Sequence, residues 1–300
     1  MILPALLTLA ANYYVTVSGL GGEADYEQRF ASQAAEIEKL VKGDPDAKVT
    51  TLSGASATKS AVVSTLSQIA KEAKPEDSLT VTLIGHGTFD GAEYKFNVPG
   101  PDITSVDLAA GLDRIPAQKQ MVVAATSASG GALISLQRPN RVVICATKSG
   151  NEKNAPVFAR YWVEAMRDPA ADSDKNEAIS ALEAFRYADQ KTKAYYDTEK
   201  RLATEHAVLE DTGSGDGVRE PNVENGKGAN AARFPLVKLG TAQKAALDPA
   251  KQALIKKKEE LEVSIDKLKY QKAALPSEEY KKSMQQLLLE LARTQEEIDK

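Results

Sequence analysis

The chain has 300 residues, 42% of them hydrophobic and 27% charged, with a formal net charge of −4. That apolar share is enough for one large packed domain plus an appendage, and the acidic balance with few aromatics argues against a nucleic-acid partner. A single cysteine excludes an internal disulfide and a cysteine-rich metal centre.

The first eleven residues, from Met1 to Ala11, form an apolar run that ends in small residues. Segment 1–11 therefore reads as a signal peptide, which implies a periplasmic or secreted protein, with a cytoplasmic one as the alternative. The run is too short to cross a bilayer and no other segment comes close, so no membrane span is expected. Tyr13 to Ser18 reads as a strand ending in Gly19-Leu20-Gly21-Gly22. Tyr26, Phe30, Ala34, Ile37 and Leu40 then recur at helical spacing. A strand over Val49–Leu52, a helix over Ala61–Ala70 and a strand over Leu79–Ile84 follow. Thr104 with Asp107 forms a capping box at the next helix start. Met121–Ala125 and Arg141–Ala146 are continuous apolar strands, and Val157–Met166 is a helix. Such alternation predicts a mostly parallel sheet with helices on both faces. Ligand crevices of such sheets lie at the carboxyl ends of the strands, where His86 and Ser127 fall.

Residues 178–209 read as one long polar helix carrying His206 in a surface or capping role. The Gly-, Asn- and acid-rich stretch 213–228 reads as a mobile loop, and 232–237 as a short extended return. The main domain is thus expected over 12–240. Residues 241–300 differ in kind: Leu254, Leu261, Ile265 and Leu268, then Tyr280, Met284, Leu287, Leu291 and Ile298, lie on either side of a break at Leu275-Pro276-Ser277. This predicts an antiparallel helical hairpin of coiled-coil type, packing on its own domain, pairing in a dimer or docking a partner.

Two strand-like runs end in small-residue signatures. Val81-Thr82-Leu83-Ile84 leads into Gly85-His86-Gly87, and Met121–Ala125 into Thr126-Ser127-Ala128-Ser129-Gly130-Gly131. Together with the Gly19–Glu23 turn, Tyr26, Phe30 and the Cys145–Glu152 stretch, this order resembles the legumain and caspase-like cysteine peptidases over roughly residues 13–210. The resemblance implies a caspase-like α/β/α sandwich, a cysteine–histidine dyad and a peptide or protein ligand. His86 matches the histidine that passes a proton to the leaving amine. Gly87, Gly130 and Gly131 match the turn residues that let a substrate backbone approach and leave N–H groups for an oxyanion. The nucleophile position, however, reads Ser127.

A serine hydroxyl stays protonated at neutral pH and needs an oriented base, which the loosely coupled cysteine dyad does not build in. The leading expectation is therefore a pseudoenzyme, or a peptide-binding or regulatory protein. The alternative is an active endopeptidase using Ser127 and His86, with Asp90 as a candidate orienter. Cys145 lies inside an apolar strand and reads as a small buried hydrophobe. Arg141, Lys148 and Glu152 are charged residues near the pattern that the sequence does not assign to a specificity pocket.

No cofactor is required by this chemistry, but one segment has the spacing of a calcium loop. Over 172–183, Asp172, Asp174 and Asn176 fall at positions one, three and five, Ile179 at eight and Glu183 at twelve. Glu177 stands where the sixth position normally needs glycine. The two readings are a weak calcium site and a loop that caps the following helix.

Overall fold

The structure, a computed structural model, describes residues 10–240, 248, 251–272 and 275–299. Of the expected leader, residues 1–9 lie outside the described residues. The chain divides into two compact units, 1–237 and 238–300.

The first unit begins with strand β1 (Asn12–Ser18), helix α1 (Ala24–Val41), β2 (Ala47–Leu52), α2 (Lys59–Glu72) and β3 (Ser78–Gly85). Three short strands follow, β4 (Gly87–Phe89), β5 (Tyr94–Phe96) and β6 (Ile103–Thr104), and then α3 (Ser105–Leu112). β7 (Lys119–Thr126), α4 (Leu133–Leu136), β8 (Arg141–Cys145) and α5 (Phe158–Ala165) complete the alternating part. The unit closes with β9 (Ala178–Ser180), α6 (Ala181–Thr198), β10 (Val208–Glu210), α7 (Ala229–Ala232) and β11 (Pro235–Lys238).

Six strands form the main sheet in the order β10-β8-β7-β3-β1-β2; all neighbours are parallel except β10, which runs antiparallel to β8. Strands β1, β3, β7 and β8 are buried almost throughout, because helices cover both faces. On one face Val62, Leu66 and Ile69 of α2, Leu108 and Leu112 of α3 and Leu133 and Leu136 of α4 pack with Tyr13, Val15, Val17, Val81 and Leu83 in one apolar cluster. On the other, α1 and α5 pack on the strands and α6 packs on α5. The mixed α/β fold with a mostly parallel sheet thus agrees with the alternation in the sequence.

Local signals fix several boundaries. Thr104 and Asp107 form the expected capping box of α3, and Thr58 caps α2. The long helix expected over 178–209 is shorter. Its first residues form β9, which pairs with β11, and a second capping box, Ser180 with Glu183, starts α6. The helix ends at Thr198, and Lys200 turns into the left-handed region (φ 52°), so His206 lies beyond it in the approach to β10. The stretch expected as a mobile loop is tied at both ends. Leu209 and Val218 exchange two backbone hydrogen bonds, Glu210 Oε1 accepts from Thr212 and Ser214, and Asp211 accepts from the N–H groups of Gly228, Asn230 and Ala231.

Among its described residues the second unit contains two helices, Gln252–Tyr270 and Ser277–Asp299. Ile255, Leu261, Ile265, Leu268 and Ile298 are buried. Lys251 Nζ donates to the Ile298 carbonyl at 2.6 Å and Lys257 pairs with Glu290 at 2.9 Å, a register that runs the helices antiparallel. Leu288 and Leu289 remain exposed. Among the described residues no helix is long and apolar enough to cross a membrane.

Candidate functional site

The order of the main sheet reverses beside β1: the chain moves from β1 outward to β2, then returns to β3 on the other side. At such a point the loops leaving two adjacent strands diverge and open a crevice. Here they are the Gly19–Glu23 turn after β1 and the His86 turn after β3. The Ser127 turn follows β7, the next strand over, so the topology gathers these residues along one edge.

His86 is held by three neighbours. Its Nε2 lies 3.2 Å from the Gly21 carbonyl, and its ring meets Tyr26 and Phe30 edge-on at centroid distances of 5.0 and 5.3 Å. A carbonyl only accepts, so Nε2 carries the proton of the neutral ring and Nδ1 is bare. Nδ1 makes no hydrogen bond to a described residue. Burial, helped by the Arg29 guanidinium, holds the imidazole below its usual pKa, while the Gly21 carbonyl, Glu23 and Glu27 act in the opposite sense. Asp90 does not orient this ring. Its Oδ1 accepts the N–H groups of Ala92 and Glu93 in the β4–β5 turn, because an aspartate there closes its own turn.

Ser127 is 2% exposed, and its hydroxyl is engaged twice by one residue. Oγ donates to the Gly87 carbonyl and accepts from the Gly87 N–H, both at 3.0 Å. Among the described residues no hydrogen bond joins it to His86. Ala128 follows in the left-handed region (φ 54°), a conformation that costs a residue with a Cβ about 1 kcal/mol. The neighbouring N–H groups are also committed: Ala128 donates to the Glu152 carbonyl, Gly130 to Thr147 Oγ1 and Gly131 to the Ala128 carbonyl.

The glycines match close packing. A Cβ on Gly87 would stand 2.6 Å from the Ser127 carbonyl oxygen, one on Gly130 would stand 2.3 Å from the Ser149 nitrogen, and one on Gly131 would strike the Phe89 ring.

Beyond β8 lies a residue pair the sequence reading missed. Glu152 Oε1 is 2.5 Å from His206 Nδ1, and Oε2 accepts the backbone N–H groups of His206 and Lys148 at 3.1 and 2.9 Å. Since the Glu152 carbonyl also holds Ala128, this one residue ties the Ser127 turn, the loop after β8 and the segment before β10 together. No local pattern could have revealed the pair, because its members are 54 residues apart.

Arg141 lies at the opposite end of β8, buried with Gln120, the Leu136 carbonyl and Asp113, and takes no part in the crevice. Cys145 is fully buried, and burial pushes its thiol up to about 12, which removes it as a nucleophile.

Asp172, Asp174 and Glu183 do converge, with one oxygen of each within 4.8 Å of the others. Both Glu183 oxygens are already in use, however. Oε1 accepts from Ser173 N, Ser173 Oγ and Asp174 N, and Oε2 from Ser180 N and Ser180 Oγ. Asp172 accepts the N–H groups of Asn176 and Glu177, and Lys175 Nζ sits 2.7 Å from the Asp172 carbonyl. Asn176 Oδ1 accepts from Ala178. Glu177 enters the left-handed region (φ 63°) where a calcium loop normally has glycine.

No family model matches the chain, and no curated protein does. Among solved structures, a Geobacter sulfurreducens protein is similar at 11% identity and a TM-score of 0.47, covering 77% of this chain and 99% of its own. Caspase-1 from Spodoptera frugiperda gives 13% and 0.45, covering 68% and 87%, and a secreted C11 cysteine protease from Bacteroides thetaiotaomicron gives 9% and 0.39, covering 67% and 65%.

Proposed function

We propose that the first unit is a catalytically silent relative of the legumain and caspase-like peptidases that binds extended peptide along the crevice between His86 and Ser127. The observation that carries the reading is the pair of hydrogen bonds between Ser127 Oγ and the backbone of Gly87. A nucleophile must hold a hydrogen bond to its base; this hydroxyl instead satisfies a buried main-chain donor and acceptor. The same contact occupies Gly87 N–H, one of the groups that would bind an oxyanion. The second reading, an endopeptidase working through Ser127 and His86, draws on the orientation of His86. Its Nε2 is fixed on Gly21, and the bare Nδ1 is free to act as a base.

Over 172–183 the reading is a helix cap, with Glu183 as the N3 partner of Ser180. Peptide-library cleavage and hydrogen exchange, run together, test the proposal. The silent reading expects no cleavage by wild type and slower exchange over 85–88 and 126–131 when peptide is added. Cleavage that disappears in Ser127→Ala establishes the peptidase instead.

A further inference from the structure

The carboxyl edge of the main sheet carries two histidines, and they are oriented in opposite senses. His86 spends its Nε2–H on the Gly21 carbonyl. His206 faces a carboxylate through Nδ1, so in the neutral ring that nitrogen carries the proton and Nε2 is a bare acceptor. A histidine that donates one ring N–H to a carboxylate has its ring plane and tautomer fixed, the usual arrangement of a histidine that contacts a ligand. His206 Nε2 makes no hydrogen bond to a described residue, although the side chain is largely covered, at 22% exposure. A mostly covered, oriented acceptor with no hydrogen bond to a described residue needs an occupant more than an exposed one does.

Sheet order fixes where this acceptor stands. β7 lies between β3 and β8, so the Ser127 turn is flanked by His86 on the β3 side and by Glu152 on the β8 side. β10 runs antiparallel to β8 with Val208 opposite Cys145, which brings His206 to the carboxyl edge of the sheet. The bond from Ala128 N to the Glu152 carbonyl, 2.8 Å, puts the pair next to the residue that follows Ser127.

We propose that His206, oriented by Glu152, is a ligand-contacting residue of the crevice, with Nε2 accepting a hydrogen bond from a main-chain N–H of an extended peptide. The inference rests on the peptide-binding reading above. An extended peptide offers a donor at every residue, and a neutral imidazole accepts one without demanding a particular side chain. Glu152 is a positioning residue: it holds the ring without touching the peptide. His206→Gln, which cannot be oriented through the same Nδ1–H, is expected to weaken peptide binding by about three- to tenfold, the loss of one neutral hydrogen bond.

The test uses the full chain labelled with nitrogen-15. Its two histidines give only four ring-nitrogen signals. The probe is a randomised library of capped hexapeptides. Before addition, His206 is expected to show a protonated Nδ1 and a bare Nε2, and His86 the reverse; the same tautomer at both overturns the inference. On addition, the His206 Nε2 signal is expected to move upfield, as it does when an imidazole nitrogen accepts a hydrogen bond. If the amide signals of Gly87 and Ser127 shift while His206 Nε2 stays, peptide binds without His206 and this inference fails alone. If nothing shifts, the peptide-binding reading fails and takes the inference with it.

Discussion

The two histidines of this chain show how different physics can bring the same side chain to the same edge of a sheet. His86 is placed by its neighbours in sequence: the turn after a buried strand delivers it, and a backbone carbonyl with two aromatic edges fixes it. His206 is placed by a carboxylate 54 residues away, itself tied to the turn that carries Ser127. The first is held by the turn that carries it and the second by a hydrogen bond to a distant side chain. A local motif therefore finds only the first.

The strongest way to break this arrangement is to disturb the turn between the two corners. Gly130→Ala sets a Cβ 2.3 Å from the Ser149 nitrogen, a backbone atom that cannot swing away. We expect a loss of about 3 kcal/mol, seen as a fall of about 6–12 °C in melting temperature. Ser127→Ala comes next. It strips the Gly87 N–H and carbonyl of their partner in a buried setting and is expected to cost about 1–3 kcal/mol in urea unfolding, with no change in peptide turnover. A fall in turnover would instead move Ser127 to the side of the nucleophiles.

Glu183 sharpens the comparison, since it too is a carboxylate that orients its neighbours. Burial alone would raise its pKa, but hydrogen bonds from Ser180 and Ser173 outweigh that and hold it below the usual carboxylate value. A depressed folded pKa contributes stability that is present above the unfolded value, about 4.3, and fades as pH falls through the folded value. Glu183→Gln should therefore cost about 1 kcal/mol at pH 7, and the difference from wild type should shrink below about pH 4. The smallest effect concerns calcium. With Glu183 committed to five hydrogen bonds, about 1 mM calcium should raise the melting temperature by less than about 1 °C, since a site weaker than about 1 mM adds under about 0.4 kcal/mol. A larger rise that vanishes in Asp174→Asn would favour the cation.

Much of the fold was legible because its signals are local. Continuous apolar strands mark a sheet covered on both faces, and the Thr104–Asp107 capping box marks a helix start. The long helix over 178–209 was misread because polar helical composition continues past Thr198, while the break comes from Lys200 turning left-handed, for which no glycine or proline gives warning. In the site, the small-residue turns exposed His86, Ser127 and the glycines. Which groups bond to Ser127 Oγ depends on β3 and β7 lying side by side, and so do the Gly21 contact and the Glu152–His206 pair on their own strand neighbours. Side-chain partners across strands are a property of register, which a linear pattern does not carry.

The most direct test of the account is a fluorophosphonate probe, which captures activated serines, followed by mass spectrometry of the labelled chain. The account predicts no adduct at Ser127, because its hydroxyl is buried and bonded to Gly87 rather than to a base. An adduct at Ser127 that disappears in His86→Gln would contradict it and make this chain a serine peptidase.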